Sequence, residues 1–148
     1  MNNTYLSLQG NMGLSKAIDY FTSHQIPISI PMNDTQKYDL VADFDGSLNR
    51  ISVKTSRAKA TYGGYTVGLR NTGGSSGVCK VRPFDKTTVD YIFVLTGDDR
   101  IFLIPTFVIE ATNSIVVGGK KYNEYEVFIK SFSDYTKEVC QSGLLSES

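Results

Sequence analysis

An α/β protein is the fold class this sequence predicts, on three observations. Apolar residues recur at helical spacing near the N-terminus, from Leu14 to Phe21. Two alternating segments flank an Asp45-Gly46 dipeptide of the kind that closes tight hairpins. Further aromatic and β-branched runs of strand length follow at Tyr65 to Leu69, Val89 to Leu95 and Ile101 to Ile104. With 148 residues, 41% of them apolar, nine tyrosines and eight phenylalanines, the chain has material for one core without staples, so one domain over residues 1–148 is expected.

The first element is a helix over Gly13 to Ser23, with Leu14, Ala17, Ile18 and Phe21 on its buried face, Asn11 as N-cap and Pro27 as stop. Ile28-Ser29-Ile30 reads as a short strand and Asn33-Asp34-Thr35 as a loop. Tyr38 to Phe44 and Asn49 to Thr55 are the arms of the hairpin. If Asp45 and Gly46 are its two central residues, paired residue numbers sum to 91, which sets Asp39 opposite Ser52 and Lys37 opposite Lys54. A loop two residues longer would shift these partners and keep the faces. Alternation sends Tyr38, Leu40, Ala42 and Phe44 to one face with Ile51 and Val53, and Asp39, Asp43, Arg50, Ser52 and Lys54 to the other. Beyond Glu110 the pattern weakens: Val116-Val117-Gly118-Gly119 reads as strand and turn, Tyr125 to Ile129 as a strand, and Gln141 to Ser148 as a fraying tail.

Several function classes fall away. The longest apolar runs are far short of the roughly 18 residues a membrane span needs, and Met1 to Tyr5 carries no basic patch leading into an apolar stretch, so a cytoplasmic protein with no membrane partner is expected. Cys79 and Cys140 are distant and read as free thiols, and the single histidine, His24, follows the helix, where a solvated or capping role fits. A zinc site of the His/Cys type cannot be assembled from these three residues. The loop Thr72-Gly73-Gly74-Ser75-Ser76-Gly77 matches neither dinucleotide nor P-loop spacing.

Net charge is zero, but its distribution is uneven. Between Gly46 and Phe84 there are seven basic residues and no acidic one, and all five glutamates lie at or beyond Glu110. A basic stretch interleaved with Tyr62 and Tyr65 suits a polyanion, because phosphate neutralisation supplies most non-specific nucleic-acid affinity. Arg50, Arg57, Lys59, Arg70, Lys80 and Arg82 are the candidate DNA contacts, while Tyr62 and Tyr65 suit either core or contact. Phosphodiester hydrolysis needs a hard cation held by oxygen ligands and a positive group near the reacting phosphate. Asp39 and Lys54, on one face beside the Ser52 hydroxyl, supply that minimum, although an ordinary cross-strand ion pair would look the same.

The run Gly10-Asn11-Met12-Gly13-Leu14 opening a helix, then Tyr38-Asp39-Leu40-Val41, then Arg50-Ile51-Ser52-Val53-Lys54-Thr55, resembles the restriction-endonuclease-like PD-(D/E)XK nucleases. Within them it looks closest to small group I intron homing endonucleases and Holliday-junction resolvases. The resemblance covers roughly residues 9–105 and implies a mixed central sheet flanked by helices, a Mg²⁺ (or Mn²⁺) cofactor, double-stranded DNA as substrate and a homodimer or homotetramer, since one site cuts one strand. It makes Asp39 a metal ligand with the Val53 carbonyl, sets Ser52 where the family has Glu, Asp or Gln, and makes Lys54 the residue that positions or activates water. The aligned position of a first-helix glutamate is Leu14; Gln9, expected just before the helix, and Asp43 are the candidate replacements as ligands. These departures also admit a catalytically inactive DNA-binding protein of the same fold; a Holliday-junction resolvase is the other reading of the resemblance, and the basic, aromatic stretch does not itself distinguish DNA from RNA.

Overall fold

The computed structural model describes residues 3–33, 35–72 and 81–143. The glycine-rich loop from Gly73, Cys79, Lys80, Asp34 and the last five residues of the expected fraying tail lie outside them. A long helix, α1 (Asn3–Ser23), leads into β1 (Ile28–Ser29), β2 (Leu40–Phe44) and β3 (Ser47–Ser56). Next come β4 (Tyr65–Gly68), β5 (Asn71–Thr72), β6 (Val81–Arg82), β7 (Tyr91–Thr96), β8 (Ile101–Pro105), β9 (Ser114–Val117), β10 (Glu126–Val127) and α2 (Phe132–Gln141). The main sheet has the order β1-β2-β3-β7-β8-β10; β3 and β7 run parallel and every other neighbour pair is antiparallel. It is therefore the mixed sheet expected, and two small sheets, β4-β9 and β5-β6, stand beside it.

The β2–β3 register is the one that Asp45-Gly46 dictates. Leu40 pairs with Ile51, Ala42 with Asn49 and Phe44 with Ser47. Asp45 (φ 53°) and Gly46 (φ 92°) both take the positive φ that a two-residue turn of this hand requires. Leu40, Ala42, Phe44, Ile51 and Val53 pack with Ala17, Tyr20 and Phe21 of α1, so one face of the sheet is closed by that helix. A second apolar cluster fills the opposite face, where Val67 and Leu69 meet Ile115 and Val117, Ile92, Val94, Phe102 and Ile104. The sheet is thus flanked by a helix on one face and by the β4-β9 ribbon on the other.

Three local expectations are corrected. The helix starts at Asn3, not after Asn11, so Asn11 is a helix residue and Gln9 lies within α1. Gly10 and Gly13 are helical; a β-carbon on Gly13 would sit 2.1 Å from Thr55 Oγ1 and 3.2 Å from Val53 Cγ1, so this glycine lets α1 lie tightly on β3. Tyr38 packs with the second cluster, not with Leu40, because β2 begins at Leu40 and strict alternation does not reach back to residue 38. Helix α2 was not expected: Ser131 accepts the Asp134 N–H at its N-terminus, and Val139 is buried. Among the described residues no helix is long and apolar enough to cross a membrane.

Candidate active site

Strand β3 has ten residues, but β2 covers only its first five, from Ser47 to Ile51. From Ile51 to Ser56 it is held on its other side by β7, which leaves the remaining edge beyond Leu40 open. Asp39 sits at that opening. Its own N–H donates to the Ile51 carbonyl at 2.8 Å, and its carboxylate Oδ2 accepts the Val53 N–H at 2.6 Å. The side chain stands in for the ladder partner that β2 no longer provides. Within a strand, the N–H and C=O of one residue point the same way, so the Val53 carbonyl also projects from the open edge. Two residues on, the Thr55 carbonyl accepts from Gln9 Nε2 at 3.2 Å, which brings α1 to the same edge.

Ile51, Val53 and Thr55 face α1, and the alternating residues Ser52, Lys54 and Ser56 face the β4-β9 side. Ser52 is 5% exposed, and Ser56 donates to the Thr66 carbonyl of β4. Burial holds the Lys54 ammonium below the usual lysine range, partly opposed by the attraction of Asp39. A lysine that loses water here and keeps one carboxylate nearby carries its charge at a cost. Such a group, desolvated beside a carboxylate at an open strand edge, is a functional-site candidate.

Asp43 does not join this group. It lies four residues along β2, about 13 Å from Asp39 at strand spacing, and its Oδ1 accepts the Gly46 N–H at 2.6 Å, which makes it a turn residue. Arg50 is also taken up internally. Its guanidinium bonds both carboxylate oxygens of Asp90 at 3.1 and 3.2 Å and the Thr87 carbonyl at 2.9 Å. The hydrogen bonds to Asp90 raise the Arg50 pKa and lower that of Asp90. Arg57, Lys59, Arg70 and Arg82 are exposed, and Arg70 donates to Asn113 Oδ1 at 2.9 Å. Tyr65 packs against the core, whereas Tyr62 is 94% exposed. His24 lies just past α1, 2.8 Å from the Phe128 carbonyl and against the Tyr20 ring.

A family model described as PD-(D/E)XK endonuclease matches residues 6–138, including Gln9, Asp39, Ser52 and Lys54. The chain belongs to the PD-(D/E)XK endonuclease family. It is accordingly a nuclease, in a family whose members typically use divalent metals. Among solved structures, a bacterial homing endonuclease, I-Ssp6803I, is similar at 18% identity with a TM-score of 0.66, over 96% of this chain and 98% of that one. At that identity the likeness speaks to the fold. MepB also matches, at 17% identity and a TM-score of 0.38, over 86% of this chain and 92% of that one. No curated protein matches the sequence.

The candidate donors are all oxygens: Asp39 Oδ1 and the Val53 carbonyl at the open edge, the buried Ser52 hydroxyl on the β4-β9 side, and Gln9 Oε1 on the α1 side, where Gln9 Nε2 donates to the Thr55 carbonyl. Among the described residues no group of three or more His, Cys, Asp or Glu side chains is clustered for metal binding. A zinc-type centre does not fit such residues. Mg²⁺ does, because it keeps several waters and commonly takes only one or two protein carboxylates, with substrate phosphate completing the shell.

Proposed function

We propose that the protein is a metal-dependent endonuclease of double-stranded DNA, homing-endonuclease-like, acting in the cytoplasm as a homodimer or homotetramer. The observation that carries this reading is the anchoring of the Asp39 carboxylate to the Val53 N–H at the open edge of β3, next to the partly buried Lys54. Asp39 is the principal ligand for Mg²⁺ or Mn²⁺, with the Val53 carbonyl and Ser52 hydroxyl as weaker donors and Gln9 Oε1 as the helix contribution. The ion would polarise the scissile phosphate and acidify a water. Asp39 keeps one oxygen for this role because the Val53 N–H occupies the other and fixes the carboxylate's orientation. Lys54, its pKa lowered by burial, holds the attacking water or the charge that develops on the phosphoryl oxygens. Arg57, Lys59, Arg70 and Arg82, with Lys80, are proposed to contact backbone phosphates. Arg50 is left out, since Asp90 neutralises it.

The purified protein is tested on supercoiled plasmid and on a four-way DNA junction, with Mg²⁺, Mn²⁺ or EDTA. Metal-dependent relaxation or linearisation of plasmid is expected. Cleavage confined to the junction would replace this reading by a resolvase. Binding without cleavage under every condition would mean that Ser52, in place of a carboxylate, leaves a site that holds DNA and does not cut it.

A further inference from the structure

The loop after β3 and the loop after β9 lock together through glycines. A β-carbon on Gly64 would lie 2.4 Å from the Val117 carbonyl oxygen and 2.8 Å from Gly119 N, and one on Gly119 would lie 3.0 Å from the Gly63 oxygen. Gly63, Gly64 and Gly118 all have positive φ, as does Tyr122 at 66°. The backbones therefore touch where side chains would have kept them apart. The result is a cleft of about 620 Å³ lined by Tyr62, Thr66, Ser114, Val116, Lys120 and Lys121, among others, none of them acidic. Tyr62 stands almost fully exposed at its rim.

We infer that this cleft, with Lys120, Lys121 and Tyr62, is a second contact surface for the phosphodiester backbone of duplex DNA flanking the cut. The inference rests on the nuclease reading above. Charge complementarity selects the occupant: two adjacent lysines make no ion pair among the described residues, beside an aromatic ring and hydroxyl donors, in a concavity free of carboxylates. Lys120 and Lys121 also line an adjoining hollow with Glu110 and Glu124, whereas the cleft that holds Tyr62 has no acidic lining residue, so the polyanion is assigned to the Tyr62 cleft. Position agrees. The β4-β9 ribbon covers the sheet face to which Lys54 belongs, and Ala60, at the cleft, is six residues further along the chain. That separation spans at most about 20 Å, or about six base pairs at a 3.4 Å rise. Contacts here would lie on the same duplex as the scissile phosphate.

The test is fluorescence anisotropy of a labelled duplex in EDTA across a salt titration, for the full chain and for Lys120→Ala/Lys121→Ala, with Lys137→Ala on α2 as control. Loss of two phosphate contacts lowers the slope of log K against log salt by about 1.8, which is about a 30-fold loss of affinity near 0.15 M salt. Lys137→Ala should match the parent, and melting by circular dichroism should be unchanged in both variants, since all three lysines are exposed. An unchanged slope in the double variant, with plasmid cleavage by the parent intact, overturns this inference and leaves the nuclease reading standing. Failure of the parent to bind duplex overturns both. Binding of polyglutamate as tight as that of the duplex, with the same dependence on the two lysines, would assign the cleft to an acidic peptide instead.

Discussion

Replacing Lys54 by methionine should stabilise the fold while abolishing cleavage. Burial lowers the Lys54 pKa more than Asp39 raises it, so the charged form is held at a net cost in the native state. Methionine keeps much of the aliphatic stem and carries no charge, and Asp39, which would lose its partner, is exposed to water and needs no replacement. The gain should be about 1 kcal/mol, or a rise of about 2–4 °C in Tm for a domain of this size. Its pH dependence follows from the sign of the shift. The native-state pKa lies below the unfolded value of about 10.4, so between the two the unfolded chain binds more protons and parent stability rises with pH. The advantage of Lys54→Met is therefore full below the native pKa and fades as pH rises through that window. Thermal unfolding followed by circular dichroism at about pH 7 and about pH 9.5 measures both features. A fall in Tm of several degrees, or a gain that does not shrink at alkaline pH, would refute the argument that Lys54 is a desolvated charge kept at a cost to stability.

Asp39→Ala removes the acceptor of the Val53 N–H and should cost about 1 kcal/mol as well as activity, whereas Asp39→Asn keeps an acceptor and should lose activity with little change in Tm; melting and plasmid cleavage on the two variants separate the roles. Gly13→Ala places a β-carbon against Thr55 Oγ1 and should destabilise by about 1–3 kcal/mol, with Gly13→Ala/Thr55→Ala recovering most of the loss in denaturant melts, since the Thr55 hydroxyl is buried without a partner. Arg50→Ala breaks a pair that is about a third exposed on each side and should cost up to about 1 kcal/mol with DNA affinity nearly unchanged. Because Arg50 depresses the Asp90 pKa, that deficit is full above the ordinary aspartate range and disappears as pH falls through the native value, which urea melts across acid pH will show.

What the sequence revealed depended on range. The β2–β3 register was legible because the positive φ values of Asp45 and Gly46 and the alternation of Leu40, Ala42, Ile51 and Val53 are local rules that agree. The start of α1 was not, because Asn11 read as an N-cap and the apolar spacing begins only at Leu14. Gly13 is there for a helix–strand approach that only tertiary structure reveals. Helix α2 carried a local signal in Ser131 three residues before Asp134, with Phe132, Tyr135 and Val139 at helical spacing, and its short, mostly exposed surface gave that signal little apolar weight. At the site, alternation put Lys54 on one face with Ser52, and the resemblance to the nuclease motif, not alternation, singled out Asp39 and Lys54. The demotion of Arg50 rests on Asp90, forty residues away, and that of Asp43 on a turn hydrogen bond, neither visible in a count of charges. Lys120 and Lys121 escaped notice because they lie outside the acid-free stretch from Gly46 to Phe84; only the pairing of β9 with β4 brings them beside Tyr62.

The central claim is that Asp39 and Lys54 act as one catalytic unit at the open edge of β3. Single-turnover plasmid cleavage in Mg²⁺ by the parent, Asp39→Asn, Lys54→Ala and the double variant tests it most directly. Each single variant should fall by about 10³-fold or more, and the double variant should be no worse than the weaker single one, as for groups that serve the same step. Parent-like cleavage by either single variant would contradict the claim.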